Sequence, residues 1–184
     1  EPPTPVSKSA SSPSESPDTA TPAPSDPFEP TDPRIFVETD LGLRLAVENA
    51  ENDHDIVLTD DVALTATLVF PEGLAGVRMT SDEPGRTLSG DGAFYLIRVE
   101  NMELILENLV LTRGFLTGSG AAIYVYYGVL RARTCTFSHN HATTNGGAVC
   151  TYQSSLIFDD CLFEFNEAGE SGGALDVYAD SQAT

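Results

Sequence analysis

Laying Gly118–Thr143 over Thr144–Gly169 without a gap brings eight identities into register: Gly120/Gly146, Ala122/Ala148, Tyr126/Tyr152, Leu130/Leu156, Cys135/Cys161, Phe137/Phe163, Asn140/Asn166 and Ala142/Ala168. A third copy begins on schedule at Gly172, Ala174 and Tyr178, and Leu104–Gly114 overlays Leu130–Asn140 one period earlier. A fixed 26-residue period in a chain of short β-rich runs means stacked units, each too small to bury its own apolar face. That feature restricts the fold more than any other.

Strand alternation assigns each repeated position a side. Leu104, Leu130 and Leu156 point inward, followed by Leu106, Ala132 and Phe158, while Ile105, Arg131 and Ile157 point outward with Glu107, Arg133 and Asp159. A turn at Asn108, Thr134 and Asp160 resets the phase, so Leu109, Cys135 and Cys161, then Leu111, Phe137 and Phe163, return to the interior. Gly114, Asn140 and Asn166 form a column of residues that tolerate a left-handed backbone, which predicts a corner there. Gly120, Gly146-Gly147 and Gly172-Gly173 turn the chain into a further strand. In it Ile97, Ile123, Val149 and Leu175 stack inward above Val99, Val125, Thr151 and Val177. Arg98, Tyr124, Cys150 and Asp176 project outward, as do Glu100, Tyr126, Tyr152 and Tyr178. Coils of parallel strands about 4.8 Å apart satisfy this pattern. A leucine-rich repeat has a different period and signature, and a propeller blade needs a longer repeat with hairpin turns.

Ahead of the repeats the chain changes character twice. Residues 1–33 hold ten of twelve prolines, seven serines and four threonines, with Val6 and Phe28 as the only large apolar side chains. Such a segment buries too little surface to offset chain entropy, and it reads as a disordered linker whose composition resembles an O-glycosylated stalk. Ordered structure is expected over residues 34–184. Between Thr39 and Asn52, Leu41, Leu45, Ala46 and Val47 roughly follow a helical period, with Thr39 or Asp40 as N-cap, and predict a short capping helix.

The motifs GAAI at Gly120–Ile123, GGAV at Gly146–Val149 and GGAL at Gly172–Leu175 are joined by FSHN at Phe137–Asn140 and FEFN at Phe163–Asn166. Together they resemble the GGA[ILV] and FxxN repeats of the chlamydial polymorphic outer membrane proteins, and similar repeats in exported proteins of the pectin-lyase-like superfamily. The stretch Phe36–Leu58, with LRLAVENA, resembles the segment that caps such helices. The resemblance implies an all-β fold, a right-handed parallel β-helix, and an extracellular or cell-surface location. The chlamydial C-terminal membrane barrel has no counterpart here, so autotransport does not carry over. The chain stops about half a coil after Gly172 without a cover, and further coils are expected beyond Thr184 in the full protein.

A formal charge of −19, from 28 acids against nine bases, makes nucleic acid and anionic membrane poor partners. No run approaches a membrane span. Asp53, His54, Asp55, Asp60 and Asp61 form an acidic cluster where weak calcium binding is conceivable, although a solvated face accounts for it without any loop spacing; otherwise no cofactor is expected. His139 and His141 flank Asn140, yet the next coil has Phe165 and Glu167 there, which argues against a metal site. Cys135 and Cys161 share an inward column, where stacked thiols are the default and a strained bridge the alternative. Cys150 is expected to face out as a free surface thiol. Catalysis in the pectin-lyase-like manner would need several outward acids. Asp159-Asp160 is the one such pair within a repeat, and a surface salt-bridge ladder of Glu107, Arg133 and Asp159 explains that column.

The outward column Tyr126, Tyr152 and Tyr178, with Tyr124 beside it, is the candidate binding surface for a carbohydrate or protein ligand. Self-stacking that merely stiffens the sheet is the competing account. The leading expectation is a non-enzymatic surface repeat protein acting as a rigid spacer or adhesin-like module. The rival is a fragment of a polysaccharide lyase or glycoside hydrolase.

Overall fold

The computed structural model describes residues 34–184, so the Pro/Ser/Thr-rich segment predicted to be disordered lies outside the described residues. From Arg34 the chain winds into a parallel β-helix of about five turns with one short helix at its start. Every strand pairing is parallel, and the strands fall into sheets of seven, five, five and three. From Ile97 to Tyr178 the period of 26 holds, with Ile97, Ile123, Val149 and Leu175 directly in register. Leu104, Leu130 and Leu156 align likewise, as do Leu111, Phe137 and Phe163.

The inward columns form one continuous core. Leu104, Leu130, Leu156, Leu111, Phe137, Ile97, Ile123 and Val149 are fully buried within it. Phe137 lies face to face on Phe163, with centroids 4.7 Å apart and planes at 8°, and Phe158 meets both rings edge-on. Stacking of like on like works for apolar side chains because each removes its neighbour's surface from water without needing a directional partner. Ile105 stands on the outer face between Arg78 and Arg131 in register, yet is only 3% exposed, as expected where long arginine stems lie over an aliphatic neighbour.

The helix runs from Asp40 to Glu48, N-capped by the Thr39 hydroxyl, which accepts from the Gly42 amide at 3.2 Å. Its buried face is Leu43, Ala46 and Val47; Leu41 and Leu45, expected in the apolar stripe, are 67% and 51% exposed. The helix axis is set by polar ties rather than by the simple period. Asp40 accepts from the Thr65 hydroxyl at 2.6 Å and from Arg44 Nε at 3.1 Å, and Arg44 donates onward to the carbonyls of Ala66 and Thr67. These bonds pin the helix over the first coil and rotate Leu43 into the core.

The corners also differ from expectation in one column. The turns predicted at Asn108, Thr134 and Asp160, and at Gly120, Gly146 and Gly172, all have positive φ. The left-handed position expected at Gly114, Asn140 and Asn166 falls instead one residue earlier, at Arg113, His139 and Phe165. Asn140 instead is fully buried and spans coils: its Oδ1 accepts from the Gly114 amide at 2.9 Å, and its Nδ2 donates to the Leu111 carbonyl at 3.1 Å and to Asn166 Oδ1 at 3.0 Å. Asn166 repeats the pattern, donating to the Phe137 carbonyl at 2.8 Å. A primary amide is the side chain that both accepts and donates, so it satisfies backbone groups that the sharp corner leaves without ladder partners.

Replacing Asn140 by Ala should therefore strand the Gly114 amide and the Leu111 carbonyl inside the corner. The expected loss is roughly 2–4 kcal/mol, read as a fall in the urea midpoint, with a smaller loss for Asn166→Ala because Asn166 is only partly buried.

Candidate functional site

Four in-register strands, Ile97–Glu100, Ile123–Tyr126, Val149–Tyr152 and Leu175–Tyr178, carry the predicted surface. Alternation turns Tyr124 outward beside Arg98, Cys150 and Asp176, and aligns Tyr126, Tyr152 and Tyr178 below Glu100. The structure brings all four predicted tyrosines together. Tyr126 stacks on Tyr152 with centroids 5.3 Å apart at 26°, Tyr152 meets Tyr178 at 5.8 Å and 41°, and Tyr124 runs nearly parallel to Tyr126 at 6.4 Å.

A fifth ring completes the patch. Tyr127 has φ 50° and packs its ring edge against Tyr126 at 4.4 Å and against Tyr152 at 5.7 Å. Sequence reading missed it because strand alternation stops at Tyr126. The signal was the column Asn101, Tyr127 and Gln153, where Asn marks a left-handed position that a period of 26 carries onto Tyr127. Five of the six tyrosines of the chain thus share one face.

This geometry decides what the patch can do. Tyr126 and Tyr152 each lie between two neighbouring rings, so along them the surface shows ring edges and phenolic hydroxyls. Tyr127 and Tyr178 are the most exposed, at 48% and 63%. Burial pushes the Tyr124 phenol up, with a further push from Cys150; Tyr127 is also raised, by desolvation and by its hydrogen bond with Tyr126. Both stay protonated at neutral pH and can donate and accept hydrogen bonds. Beside them Tyr124, Tyr152 and Tyr178 border a cavity of about 230 Å³, to which Ser119, Asn145 and Asp176 add polar groups.

Cys150 is among the residues that line this cavity. It occupies the outward row, but at 6% exposure it is not the surface thiol expected: its Sγ lies 3.8 Å from Asp176 Oδ2, between the flanking coils. Desolvation, then the Asp176 charge, pushes the thiol up to about 11, which leaves it protonated and unreactive.

On the seven-stranded sheet the charged column also departs from the surface ladder expected. Glu107 is 7% exposed and accepts from Arg133 Nε at 2.9 Å, and it pairs on its other side with Arg78. Arg78 in turn holds Asp55, 0% exposed, at 3.1 Å, and Arg34 approaches the same carboxylate at 3.4 Å. The ladder therefore runs from Glu107 towards the first coil. It also takes Asp55 out of the acidic cluster, whose remaining acids Asp53, Asp60 and Asp61 are exposed and whose His54 is half-buried. Sequence reading missed Arg78 because Asp55 and Arg78 are 23 positions apart, off the main period. Three arginines and two acids, with Asp82 beside them, line a shallow groove of about 510 Å³ whose formal charges cancel.

The other singled-out residues disperse. Asp159 and Asp160 are both exposed, and Asp160 is the left-handed corner, with φ 49°. His139 stacks on Phe165 at 5.0 Å, whereas His141 lies 5.4 Å from the Phe115 ring with Nδ1 3.7 Å from Glu167. Neither arrangement gathers further ligand atoms around a shared point, and no group of three or more His, Cys, Asp or Glu converges among the described residues.

Residues 134–152 match the family model of the Chlamydia polymorphic membrane protein repeat, which takes in the Cys135, Phe137 and Asn140 columns and the GGAV turn. No curated protein and no solved structure matches the chain. Among the described residues no helix is long and apolar enough to cross a membrane. The molecule is a β-solenoid that carries repeats of the polymorphic membrane protein type.

Removing one buried partner of the charged ladder separates it from an ordinary surface pair. Glu107→Ala leaves Arg78 and Arg133 against an emptied site and should cost about 3–5 kcal/mol in denaturant unfolding. Glu103→Ala breaks a more exposed pair with Arg131 and should cost below about 1 kcal/mol.

Proposed function

We propose that this chain is a non-enzymatic repeat protein of the cell surface or extracellular space, in which the β-helix is a rigid spacer and its tyrosine face binds a carbohydrate or protein ligand. The observation that carries the reading is the gathering of five tyrosines on one face beside a polar cavity. A large apolar payload with hydroxyl tips is the kind of surface that gives contact area at low side-chain entropy cost. The polymorphic membrane protein repeat at residues 134–152 supports a surface location, as does the stalk-like composition of residues 1–33. The strong negative charge favours ligands that are neutral or cationic over polyanions.

Attachment of the purified chain to a glycan array and to cultured cells tests this. Replacing Tyr126, Tyr152 and Tyr178 together by Ser should weaken attachment about tenfold or more, with the β-rich circular dichroism spectrum retained. Unchanged attachment would remove the binding role, and turnover of an acidic polysaccharide that is lost on Asp159→Asn would replace it with an enzymatic one.

A further inference from the structure

At the corner between the tyrosine-bearing sheet and the seven-stranded sheet, a groove of about 560 Å³ runs across successive coils. The coil register sets its rungs. Asn101, Tyr127 and Gln153 hold the same left-handed position, with φ of 50°, 50° and 45°, and Glu103, Val129 and Ser155 are partners in the strands that follow. Tyr127 is the middle rung, with a coil on either side, so its 48% exposure owes nothing to the ends of the solenoid. A bulky ring there is a strained choice where the preceding coil uses Asn. Its plane stands at 73° and 80° to the rings of Tyr126 and Tyr152, so it lies across their stack and not in it.

The groove floor offers little free backbone. The Glu103, Val129 and Ser155 amides donate to the carbonyls of Leu74, Met102 and Gly128 at 2.9, 2.9 and 3.0 Å, and the Gly128 amide donates to Ser154 Oγ at 3.2 Å. Recognition therefore falls to side chains. The Gln153 side-chain amide is exposed and has no hydrogen-bond partner among the described residues. Asn101 engages Glu72 through Nδ2 at 3.1 Å and keeps its Oδ1, and Glu103 gives Oε1 to Arg131 Nε at 2.7 Å and keeps its other oxygen. Among the described residues no basic side chain lines the groove, whereas the acids Glu103 and Asp180 do.

We propose that this groove binds an uncharged linear glycan laid along the solenoid axis, about one sugar to a coil, with Tyr127 as the apolar platform for a sugar ring. The assignment rests on the reading of the tyrosine face as a binding surface and names the ligand class for its Tyr127 margin. A pyranose has an apolar face of C–H groups and a rim of hydroxyls, which matches an aromatic ring flanked by amides that both donate and accept. Its length is close to the step of about 4.8 Å between coils, whereas an extended peptide advances about 3.3 Å per residue and drifts out of register. A uronate, sulfate or phosphate group would meet Glu103 and Asp180 with no cation in the groove to hold it.

Titration calorimetry of the full chain with linear oligosaccharides tests this, setting neutral β-linked series of glucose, mannose and N-acetylglucosamine against oligogalacturonate. At least one neutral series should bind, tightening up to about three sugars and then levelling off, as three rungs require. Oligogalacturonate of equal length should bind about tenfold more weakly or worse. Tyr127→Asn puts a residue suited to the left-handed backbone at that position, so it should keep the fold while weakening the neutral sugar about tenfold, and Tyr127→Phe should retain binding. Gln153→Ala, at an exposed position, should weaken binding severalfold and serves if Tyr127→Asn does not fold. No binding of any neutral series, tighter binding of oligogalacturonate, or full affinity in Tyr127→Asn overturns the glycan assignment. Attachment to cells that is lost on replacing Tyr126, Tyr152 and Tyr178 but kept in Tyr127→Asn removes the groove alone and leaves the tyrosine face as a binding surface.

Discussion

Parallel pairing between successive coils determines the neighbour of nearly every side chain in this molecule. Once the Leu130 strand bonds to the strands of Leu104 and Leu156, each residue lies over its equivalent one coil away, on both faces of the sheet at once. Inside, the outcome is favourable whenever the column is apolar, and Leu104, Leu130 and Leu156 need no further specification. Outside, the same register is a hazard, since like charges held at strand spacing repel. In a chain with 28 acidic residues, no register pair among the described strands joins two like charges. Opposite charges alternate in Arg34, Asp55 and Arg78, and neutral rings repeat in Tyr126, Tyr152 and Tyr178. Ion-pair ladder and tyrosine ladder are two solutions to one constraint.

Corners complete the coil, and they impose their own cost. Non-glycine residues in the left-handed region are strained, and this chain places Asn108, Thr134 and Asp160 there at corresponding heights. Repetition makes the strain tolerable because each corner is tied to the one in the next coil: the Asn108 amide donates to the Arg133 carbonyl, and the Thr134 amide to that of Asp159. At the sharper corner the ladder alone is insufficient, and Asn140 and Asn166 supply the missing donors and acceptors from side chains. FxxN is thus a packing motif. Its Phe fills the core and its Asn seals the bend beside it.

Much of this was legible in the sequence where the period was strict. From Ile97 onward the period of 26 assigned inward and outward rows correctly, including Thr151 in an apolar column and the tyrosines on the outer face. Upstream it failed, because coils there differ in length: Ser81 reaches Asn108 27 positions on, and Asp55 reaches Arg78 after 23. Insertions and deletions at corners leave the strands stacked while erasing the pattern, which hid the buried ladder of Asp55 and Arg78. The Asn140 column shows a different limit. Gly and Asn share a tolerance for positive φ, but Asn also has an amide, and composition alone does not say which property is in use. Cys150 shows a third: alternation gives the direction of a side chain, whereas its cover depends on what the neighbouring coils place around it, here Asp176 on one side.

The proposed binding face inherits both the strength and the rigidity of this construction. Tyr126 and Tyr152 cannot adjust their spacing without breaking the backbone ladder beneath them, and their mutual stacking removes rotamer freedom before any ligand arrives. Such a surface is already organised, so binding need not meet the ordering cost that flexible aromatic loops incur. The same rigidity narrows the ligand: with ring faces turned to one another, contact falls to ring edges, to hydroxyls, and to the polar groups of Ser119, Asn145 and Asp176 around the cavity. A partner matched to that face must present hydrogen-bonding groups at intervals close to the strand spacing. On this reading selectivity resides in periodicity, and the solenoid that supplies it is part of the binding site.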